Sequence, residues 1–404
     1  MKRTLLTFTA ALLLGSSASA KTEVTFLYGI GGELGKAVES MVKDFNDSQS
    51  DVLVRTEFGN NYEGVVQKAL AGIAAGQPAA DILHLEVSYV PRLANAGALL
   101  NVRGLPGFQQ SFDAFWPVFK AQVSRPDKAV YSMPWNNSNP VMYFNPDLLK
   151  KAGLKVPPRT YPELREAARK IKAATGVPAI ALSSFPWVLE GAVWSNNGDM
   201  IKNGRLALDQ PAAREVITMW AGFFQDGTAV LQSPTSNADF AAGKIAMIMN
   251  SVATRPSYKA SLPFKFGTAP LPYFKKPVVP VGGATLAISK NIPVERQQAA
   301  WAFINWLAQP AQQFKWVKMS NYVPITRTTA QLPSFRQYIA TERGLEVGIQ
   351  QLPYARPRPS TSGYVQGTQE IIKSLDKIFV QNAPIDATLK DLVDRTAPLF
   401  TDTK

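Results

Sequence analysis

After position 20, short stretches of alternating apolar and polar residues are each followed by a run with helical spacing. Alternation at 24–28 and 52–58 predicts two strands, and an apolar run at 81–85 predicts a third. Apolar residues at 34–45 and 65–73 recur every three or four positions, as on one face of a helix. This order of elements predicts a mainly parallel sheet with helices on both faces.

The same succession of elements returns in the middle of the chain. Apolar runs at 141–144, 179–182 and 245–249 predict strands. Residues 160–174 and 212–224 have the spacing of amphipathic helices. The chain therefore contains a second α/β unit, and its 404 residues are enough for two or three compact units.

The last third of the chain continues this pattern. It predicts a strand at 284–289 and helices at 296–308, 369–380 and 385–399. The proline-rich segment at 353–359 (PYARPRP) predicts an irregular crossing between elements.

The N-terminus has the three parts of a secretory signal peptide. Lys2 and Arg3 precede an apolar segment at 5–14, and Ala18-Ser19-Ala20 follows as a small-residue cleavage site. The apolar segment is shorter than the roughly 20 residues that a membrane span needs. We expect residues 1–20 to be removed, and the mature protein to be a soluble periplasmic monomer with no lipid anchor.

The composition excludes several kinds of site. Cysteine is absent, which removes disulfides, thiolate metal sites, cysteine nucleophiles and cysteine-linked lipid anchors. His84 is the only histidine, so no motif with two histidine ligands exists. It falls in an apolar strand, and we interpret it as a core residue. We therefore expect no metal and no cofactor.

The chain is basic, with a formal net charge of +13, or +11 once Lys2 and Arg3 are removed. A basic balance suits a nucleic acid, an anionic surface or an anionic ligand. The basic residues are scattered, with no run of five or six. We therefore expect no nucleic-acid partner.

Polar and aromatic residues recur where predicted strands end and in the late loops. Ligands of open α/β sheets bind beyond the carboxyl ends of the strands. Aromatic faces pack on C–H surfaces while carboxylates, amides and hydroxyls bind hydroxyl groups, which suits a polar, multi-hydroxyl ligand. The candidates are Tyr62, Glu86, Ser138, Trp187, Trp194, Ser251, Gly283, Tyr322, Arg356 and Arg358.

Several of these candidates have a structural interpretation as well. Trp187 and Trp194 suit a hydrophobic core as well as they suit a site. Glu86 could cap the next helix, although its place at a strand end favours the site. Gly282-Gly283 alone is typical of a turn. The residues themselves leave these alternatives open.

Short segments over nearly the whole mature chain resemble one protein family. The resemblance is to the extracellular solute-binding proteins of the maltose-binding class. Its narrower motifs (NYE, SNPV, GGA and YVPIT) resemble the branch that binds glycerol-3-phosphate or glycerophosphodiesters for bacterial ABC importers. The segments are YGIGGELG at 28–35, GNNYE at 59–63, EV at 86–87, PWNNSNPVMY at 134–143, FNPD at 144–147, KKAGL at 150–154, GGA at 282–284 and NYVPIT at 321–326.

The resemblance implies an α/β, two-lobed periplasmic binding protein fold of type II. Mixed sheets flanked by helices would form each lobe, with a ligand cleft between the lobes. The implied N-terminal lobe is 21–133 and 281–325, and the implied C-terminal lobe is 134–280 and 326–404. Crossings between lobes are expected near 132–138, 276–284 and 323–330.

The resemblance also assigns ligand contacts. The residues that match the family's motifs are Tyr62, Glu86, Ser138, Gly283 and Tyr322, with Ser251 a looser match and Trp187 and Trp194 similar to two pocket tryptophans. The family's phosphate-binding arginine aligns with Ser360 or Thr361 here. We therefore expect Arg356 or Arg358 to supply the charge from a displaced position, or the ligand to carry no phosphate.

These expectations describe a binding protein and not an enzyme. It would deliver glycerol-3-phosphate or a glycerophosphodiester to the permease subunits of an ABC importer, and a sugar-binding importer protein is the alternative. A secreted hydrolase is a distant third reading. A glycosidase needs two carboxylates about 5–9 Å apart, and only Glu86 is a strong pocket candidate, with Glu190 second.

Overall fold

A computed structural model describes residues 21–403, so the predicted signal peptide lies outside the described residues. The strands in this part of the chain are β1 (Thr22–Tyr28), β2 (Val52–Phe58), β3 (Ile82–Glu86), β4 (Met133–Ser138), β5 (Pro140–Phe144), β6 (Ile180–Leu182), β7 (Ile201–Lys202), β8 (Arg205–Leu206), β9 (Ala229–Leu231), β10 (Met247–Ser251), β11 (Gly267–Ala269), β12 (Val279–Ile288) and β13 (Ala355–Pro357).

Helices connect these strands and cover both faces of the sheets. The α-helices are α1 (Gly32–Ser48), α2 (Tyr62–Ala74), α3 (Val90–Asn95), α4 (Phe108–Ala114), α5 (Pro117–Val123), α6 (Pro146–Lys151), α7 (Tyr161–Thr175), α8 (Pro186–Ser195), α9 (Pro211–Gln225), α10 (Ser236–Ala241), α11 (Arg255–Ser261), α12 (Val294–Leu307), α13 (Pro310–Ser320), α14 (Arg327–Gln331), α15 (Pro333–Thr341), α16 (Arg343–Gln350), α17 (Tyr364–Gln381) and α18 (Ile385–Thr396).

The first lobe is built on a mixed six-stranded sheet. Its order is β13-β12-β3-β1-β2, and β4 also pairs with β12. β1 runs parallel to β2 and β3, whereas β12 runs antiparallel to β3 and β4. The parallel arrangement predicted from the strand–helix order therefore holds for β2, β1 and β3, and β13 is also parallel to β12.

The second lobe is built on a five-stranded sheet of order β11-β5-β10-β6-β9. β10, β6 and β9 are parallel, and β5 is antiparallel to both of its neighbours. Helices α8, α9, α17 and α18 pack together on this lobe. The protein therefore has two α/β lobes with mixed sheets.

One connection between the two sheets is very short. Asn139 alone separates β4 of the first sheet from β5 of the second. Its side-chain amide donates to the Gly348 carbonyl at 2.7 Å and its Oδ1 accepts from Gln351 at 3.2 Å, so the crossing is fixed by hydrogen bonds. The strand pairing places β4 and β13 in the sheet of the first lobe. The exact lobe boundaries and the three crossings remain predictions.

Three segments differ from their sequence-based interpretation. Residues 133–138 form β4, a strand that the pattern of apolar and polar residues did not predict. Gly282-Gly283 lies inside β12 and not in a turn before it. The proline-rich crossing contains β13, which pairs with the start of β12. In each case strand pairing outweighs a local preference for turns.

Gly283 holds β12 against β4 in a conformation that other residues rarely adopt. Its φ is +102°, and a Cβ there would lie 2.1 Å from the Asn136 carbonyl oxygen. The β4–β12 register shifts at the neighbouring pair, Ala284/Thr285. The residue is therefore required by the backbone as well as being a site candidate.

We expect Gly283→Ala to lower the free energy of unfolding by more than about 1 kcal/mol, because an alanine can adopt neither the φ nor the close approach. Urea unfolding followed by tryptophan fluorescence measures the change. Gly104→Ala is the matched control, since Gly104 has no positive φ and no atom within 4 Å of its ideal Cβ. An equal urea midpoint for Gly283→Ala and Gly104→Ala would contradict the structural requirement for glycine at position 283.

Candidate ligand-binding site

A cavity of about 420 Å³ is lined by residues of both lobes. Eight of the ten predicted site residues line it, namely Tyr62, Glu86, Ser138, Trp187, Ser251, Gly283, Tyr322 and Arg358. Aromatic side chains form part of the walls, and hydroxyl and charged groups are set among them. This is the arrangement expected of a site for a small polar ligand.

The first lobe contributes a buried chain of hydrogen bonds that ends at Tyr62. The Asn136 amide donates to the Tyr62 hydroxyl at 2.8 Å, and its Oδ1 lies 2.7 Å from His84 Nε2. The Gly29 N–H faces His84 Nδ1 at 3.5 Å. Nδ1 is therefore the acceptor and Nε2 carries the proton. Because Tyr62 accepts from Asn136, its own proton is available for another acceptor.

Burial sets the protonation of this chain. It lowers the pKa of His84 to about 4, against the raising effect of the Asn136 hydrogen bond. It also raises the pKa of Tyr62, which keeps the phenol protonated. His84 is thus the core residue that the sequence suggested, and it also orients a side chain of the cavity.

Aromatic rings extend from this chain to the other side of the cavity. The Trp135 ring stacks on Trp316 with a centroid distance of 4.5 Å, and Trp316 lies parallel to Tyr322 at 6.0 Å. Tyr62 and Tyr322 both line the cavity, and each affects the pKa of the other. Two tyrosines that are far apart in sequence therefore meet in one rigid wall.

Glu86 and Ser251 hold equivalent positions in the two lobes. Each ends a strand, β3 or β10, and each caps the short 3-10 turn that follows. Glu86 accepts from the backbone N–H of Ser88 at 3.0 Å and from its hydroxyl, and Ser251 accepts from Ala253 N–H at 3.1 Å. Glu86 therefore caps the next turn and lines the cavity, so both interpretations of this residue hold.

Trp187 packs against the glycine pair of β12. A Cβ at Gly282 would lie 2.9 Å from Trp187 Nε1. The indole N–H is buried and has no acceptor among the described residues. Trp187 therefore offers the cavity an apolar face and an unused donor.

Arg358 is the only cation that lines the cavity within residues 21–403, and it is paired with two carboxylates. Its Nε lies 3.1 Å from both oxygens of Glu190, and its Nη2 lies 3.0 Å from Oε1. Its Nη1 donates to Glu86 Oε1 at 3.1 Å. The Tyr364 hydroxyl donates to Glu190 at 2.6 Å. The guanidinium therefore joins Glu86 of the first lobe to Glu190 on α8 of the second.

Among the residues that the structure describes, no group of three or more acidic, histidine or cysteine side chains could hold a metal ion. Within the same residues, no helix is long and apolar enough to cross a membrane. A wider groove of about 670 Å³ lies beside Arg255 and Arg343, but it holds none of the predicted site residues.

Comparison with known families agrees with this geometry. Residues 40–342 match the family described as bacterial extracellular solute-binding protein, which is most of the chain. The chain belongs to that family. Its two-lobed fold and the cavity between the lobes are those expected of a solute-binding protein.

Similar sequences include periplasmic proteins with a named ligand. The sn-glycerol-3-phosphate-binding periplasmic protein UgpB of Brucella abortus is 29% identical over 379 residues, covering 89% of this chain and 87% of that protein. The protein of the same name from Escherichia coli O1:K1 is 26% identical over 383 residues, covering 90% of this chain and 87% of that protein.

Solved structures show the same fold. UgpB from Mycobacterium tuberculosis in complex with glycerophosphocholine has a TM-score of 0.86 at 23% identity, over 95% of this chain and 99% of that one. The cyclic alpha-maltosyl-1,6-maltose binding protein of Arthrobacter globiformis has a TM-score of 0.84 at 23% identity, over 95% and 100%. At this identity the likeness concerns the fold alone.

Two predicted site residues of this solute-binding protein lie outside the cavity. Trp187 and Trp194 are seven residues apart on α8, so Trp194 lies about 10 Å further along the helix. Trp194 is 3% exposed and packs in the core of the second lobe. Arg356 is exposed, lies 4.7 Å above the Trp194 ring and pairs with Asp199 at 3.4 Å. The core interpretation therefore holds for Trp194, and Arg356 is a surface residue.

Other residues of the site were not selected from the sequence. Phe185, Tyr89, Ser88 and Glu63 also line the cavity. Glu190 was ranked only second as a carboxylate, yet it holds Arg358. One signal was available for it: Glu190 is the only charge in the helix sequence PWVLEGAVWS.

We expect the His84 ring to stay neutral in the folded protein down to about pH 5, because burial lowers its pKa to about 4. NMR of this single histidine checks the value, and the urea-unfolded chain, which should titrate near pH 6.5, is the internal control. A native midpoint above pH 6 would contradict the buried hydrogen-bond chain.

The same shift makes stability depend on pH. Between about pH 6.5 and 4 the unfolded chain binds a proton at His84 and the native protein does not. The contribution of the neutral His84 ring to the free energy of unfolding is therefore complete above pH 6.5. It is lost as the pH falls towards 4, by up to about 3 kcal/mol.

Proposed function

We propose that this chain is an exported substrate-binding protein of an ABC importer and that it binds glycerol-3-phosphate or a glycerophosphodiester in the cavity between its lobes. The observation that carries the proposal is the convergence of eight predicted ligand residues on that one cavity. The names of the relatives support it, since these are glycerol-3-phosphate-binding periplasmic proteins. We also propose that residues 1–20 are a cleaved signal peptide. Its removal on export would place the protein outside the cytoplasm, as in those periplasmic relatives.

The proposed phosphate position is at Arg358. A guanidinium binds phosphate oxygens through charge-assisted hydrogen bonds, and Nη1 is held in the cavity wall by Glu86. The hydroxyls of Ser138, Ser251 and Tyr322 and the backbone N–H of Gly283 lie in the same lining and complete the set of donors. We therefore propose that Arg358, and not Arg356, supplies the positive charge for the phosphate.

The proposed position of the glycerol part is between the aromatic walls. Glu86 is the acceptor for ligand hydroxyl groups, and the faces of Trp187 and Tyr322 pack on C–H groups. The Tyr62 hydroxyl, with its proton directed away from Asn136, is a further donor. A ligand that contacts both lobes at once favours the closed arrangement over an open one.

No reaction is part of this proposal. The two carboxylates considered for a glycosidase, Glu86 and Glu190, both bind the guanidinium of Arg358. A glycosidase needs one carboxylic acid and one free carboxylate on either side of a bond, and here both groups are engaged by one cation. We therefore propose binding and release without turnover, with the permease subunits of the importer as the partner and a monomer as the functional form.

A neutral sugar is the second candidate ligand. Arg358 already has two carboxylate partners, so the cavity wall carries no uncompensated positive charge. Structural neighbours with the same fold are named as sugar-binding proteins. Sugar hydroxyls would use the same aromatic faces and carboxylates.

We expect Arg358→Lys to weaken the binding of a glycerophosphodiester about ten- to a hundredfold, because lysine retains the charge beside Glu190 but loses the fork of the guanidinium. Isothermal titration calorimetry of the mature protein measures the dissociation constant. Arg356→Lys is the matched control and should bind like the wild type, since Arg356 lies outside the cavity.

Recovering the ligand after the titration tests the absence of turnover. Intact ligand and tight binding support the proposal. Hydrolysed ligand, or tighter binding of maltose than of any glycerophosphate together with an unaffected Arg358→Lys variant, would contradict it.

A further inference from the structure

Glu190 is a buried charge with one cationic partner. It is 0% exposed and is the only charged residue of α8. Both of its oxygens accept N–H groups of Arg358, and one accepts the Tyr364 hydroxyl. This is the geometry of an ionised, hydrogen-bonded pair. Burial raises the pKa of Glu190, and the charge of Arg358 acts in the opposite direction.

The pair fixes where the guanidinium lies. Arg358 is 7% exposed, and its guanidinium carbon is 5.2 Å from the Phe185 ring centroid and 5.8 Å from that of Tyr364. Nε and Nη2 are held by Glu190, whereas Nη1 is held by Glu86. All three nitrogens of the guanidinium are therefore held by carboxylates.

The pair also fixes the charge of the cavity. Glu86 and Glu63 line the cavity with Arg358, and Glu190 lies buried against the guanidinium, so three carboxylates lie around one cation. The remaining ionisable side chains of the lining are tyrosines. The cavity is thus acidic in a chain whose formal net charge is +13. Each negative charge on a ligand is opposed by this excess, since charges interact strongly where water is partly excluded.

We propose that Glu190 is a positioning and specificity-determining residue, which clamps Arg358 in the cavity wall and cancels its charge so that the cavity discriminates against ligands by their negative charge. This rests on the proposed function, because it assumes that the ligand lies against Arg358. It predicts that a phosphodiester with one negative charge binds better than a phosphomonoester with nearly two.

The test uses two probes with the same core, sn-glycerol 3-phosphate and its methyl phosphodiester. Calorimetric titration at pH 7.5 gives the ratio of their dissociation constants. We expect the wild type to bind the diester at least about tenfold more tightly. In Glu190→Gln the amide oxygen can still accept from Arg358 and the net negative charge is one unit smaller. The ratio should therefore fall by about tenfold.

Two further variants separate charge from structure. Glu190→Asp retains the charge, so the ratio should stay near the wild-type value even if both ligands bind more weakly. Glu166→Gln removes the same charge from an exposed position on α7 that pairs with Lys170, and it should change nothing. A purely structural Glu190 would weaken both probes equally and leave the ratio unchanged.

The outcomes distinguish this inference from the proposed function. An unchanged ratio in Glu190→Gln, or a wild type that prefers the monoester, overturns the inference while glycerophosphate binding stands. The preference of the wild type for the diester over the monoester is measured without any variant. The inference can therefore be overturned even if a variant fails to fold. If the wild type binds only a neutral sugar, the proposed function fails, and the ratio for that sugar and its monophosphate decides the role of Glu190 in the same way.

Discussion

A guanidinium that is almost fully buried needs compensating charge, and in this protein the compensation comes from both lobes. Glu190 on α8 holds two nitrogens of Arg358, and Glu86 at the end of β3 holds the third. Removing one partner of a buried ion pair leaves an uncompensated charge, which costs about 3–5 kcal/mol. The relative position of the lobes around the cavity therefore depends on these contacts, and so does the electrostatic potential that a ligand meets.

The architecture brings the three residues together from distant parts of the sequence. β12 pairs with β3, which ends at Glu86, and with β13, which is followed by Arg358. Trp187 on α8 packs against Gly282 of β12, so the helix that carries Glu190 is set against the same strand. The glycine pair thus allows a second-lobe helix and the β4 backbone to approach β12 closely from different sides.

The sequence predicts most of the regular elements and most of the lining, and its failures have physical causes. Alternating residues reveal β1 and β2 because one face of each is buried. β4 does not show this pattern, because its asparagines are buried and form specific hydrogen bonds: the Asn137 amide donates to Gln122 Oε1 and to the Gly282 carbonyl, at 3.0 and 3.1 Å. The four helices between Pro310 and Gln350 were also not predicted.

In the candidate site, too, some residues could be predicted from the sequence and others could not. Tyr62, Glu86 and Ser251 follow strands, and strand ends meet at one edge of a sheet, so position alone indicated them. Trp194 shares the motif of Trp187 but lies two helical turns away in the core. The choice between Arg356 and Arg358 could not be made from sequence, because the two are only two positions apart and differ in their partners from distant segments, which are Asp199 for Arg356 and the two glutamates for Arg358. The pairing of Arg358 with Glu190 is a contact between distant segments that no local pattern encodes.

A crystal structure of the mature protein with a bound glycerophosphodiester tests the central claim most directly. The account predicts a phosphate oxygen within hydrogen-bonding distance of Arg358, between Trp187 and Tyr322, with both contacts from Arg358 to Glu190 retained. A ligand whose phosphate lies away from Arg358, or a guanidinium that has left Glu190 to reach it, would contradict the claim that a pre-fixed, charge-compensated arginine organises the site.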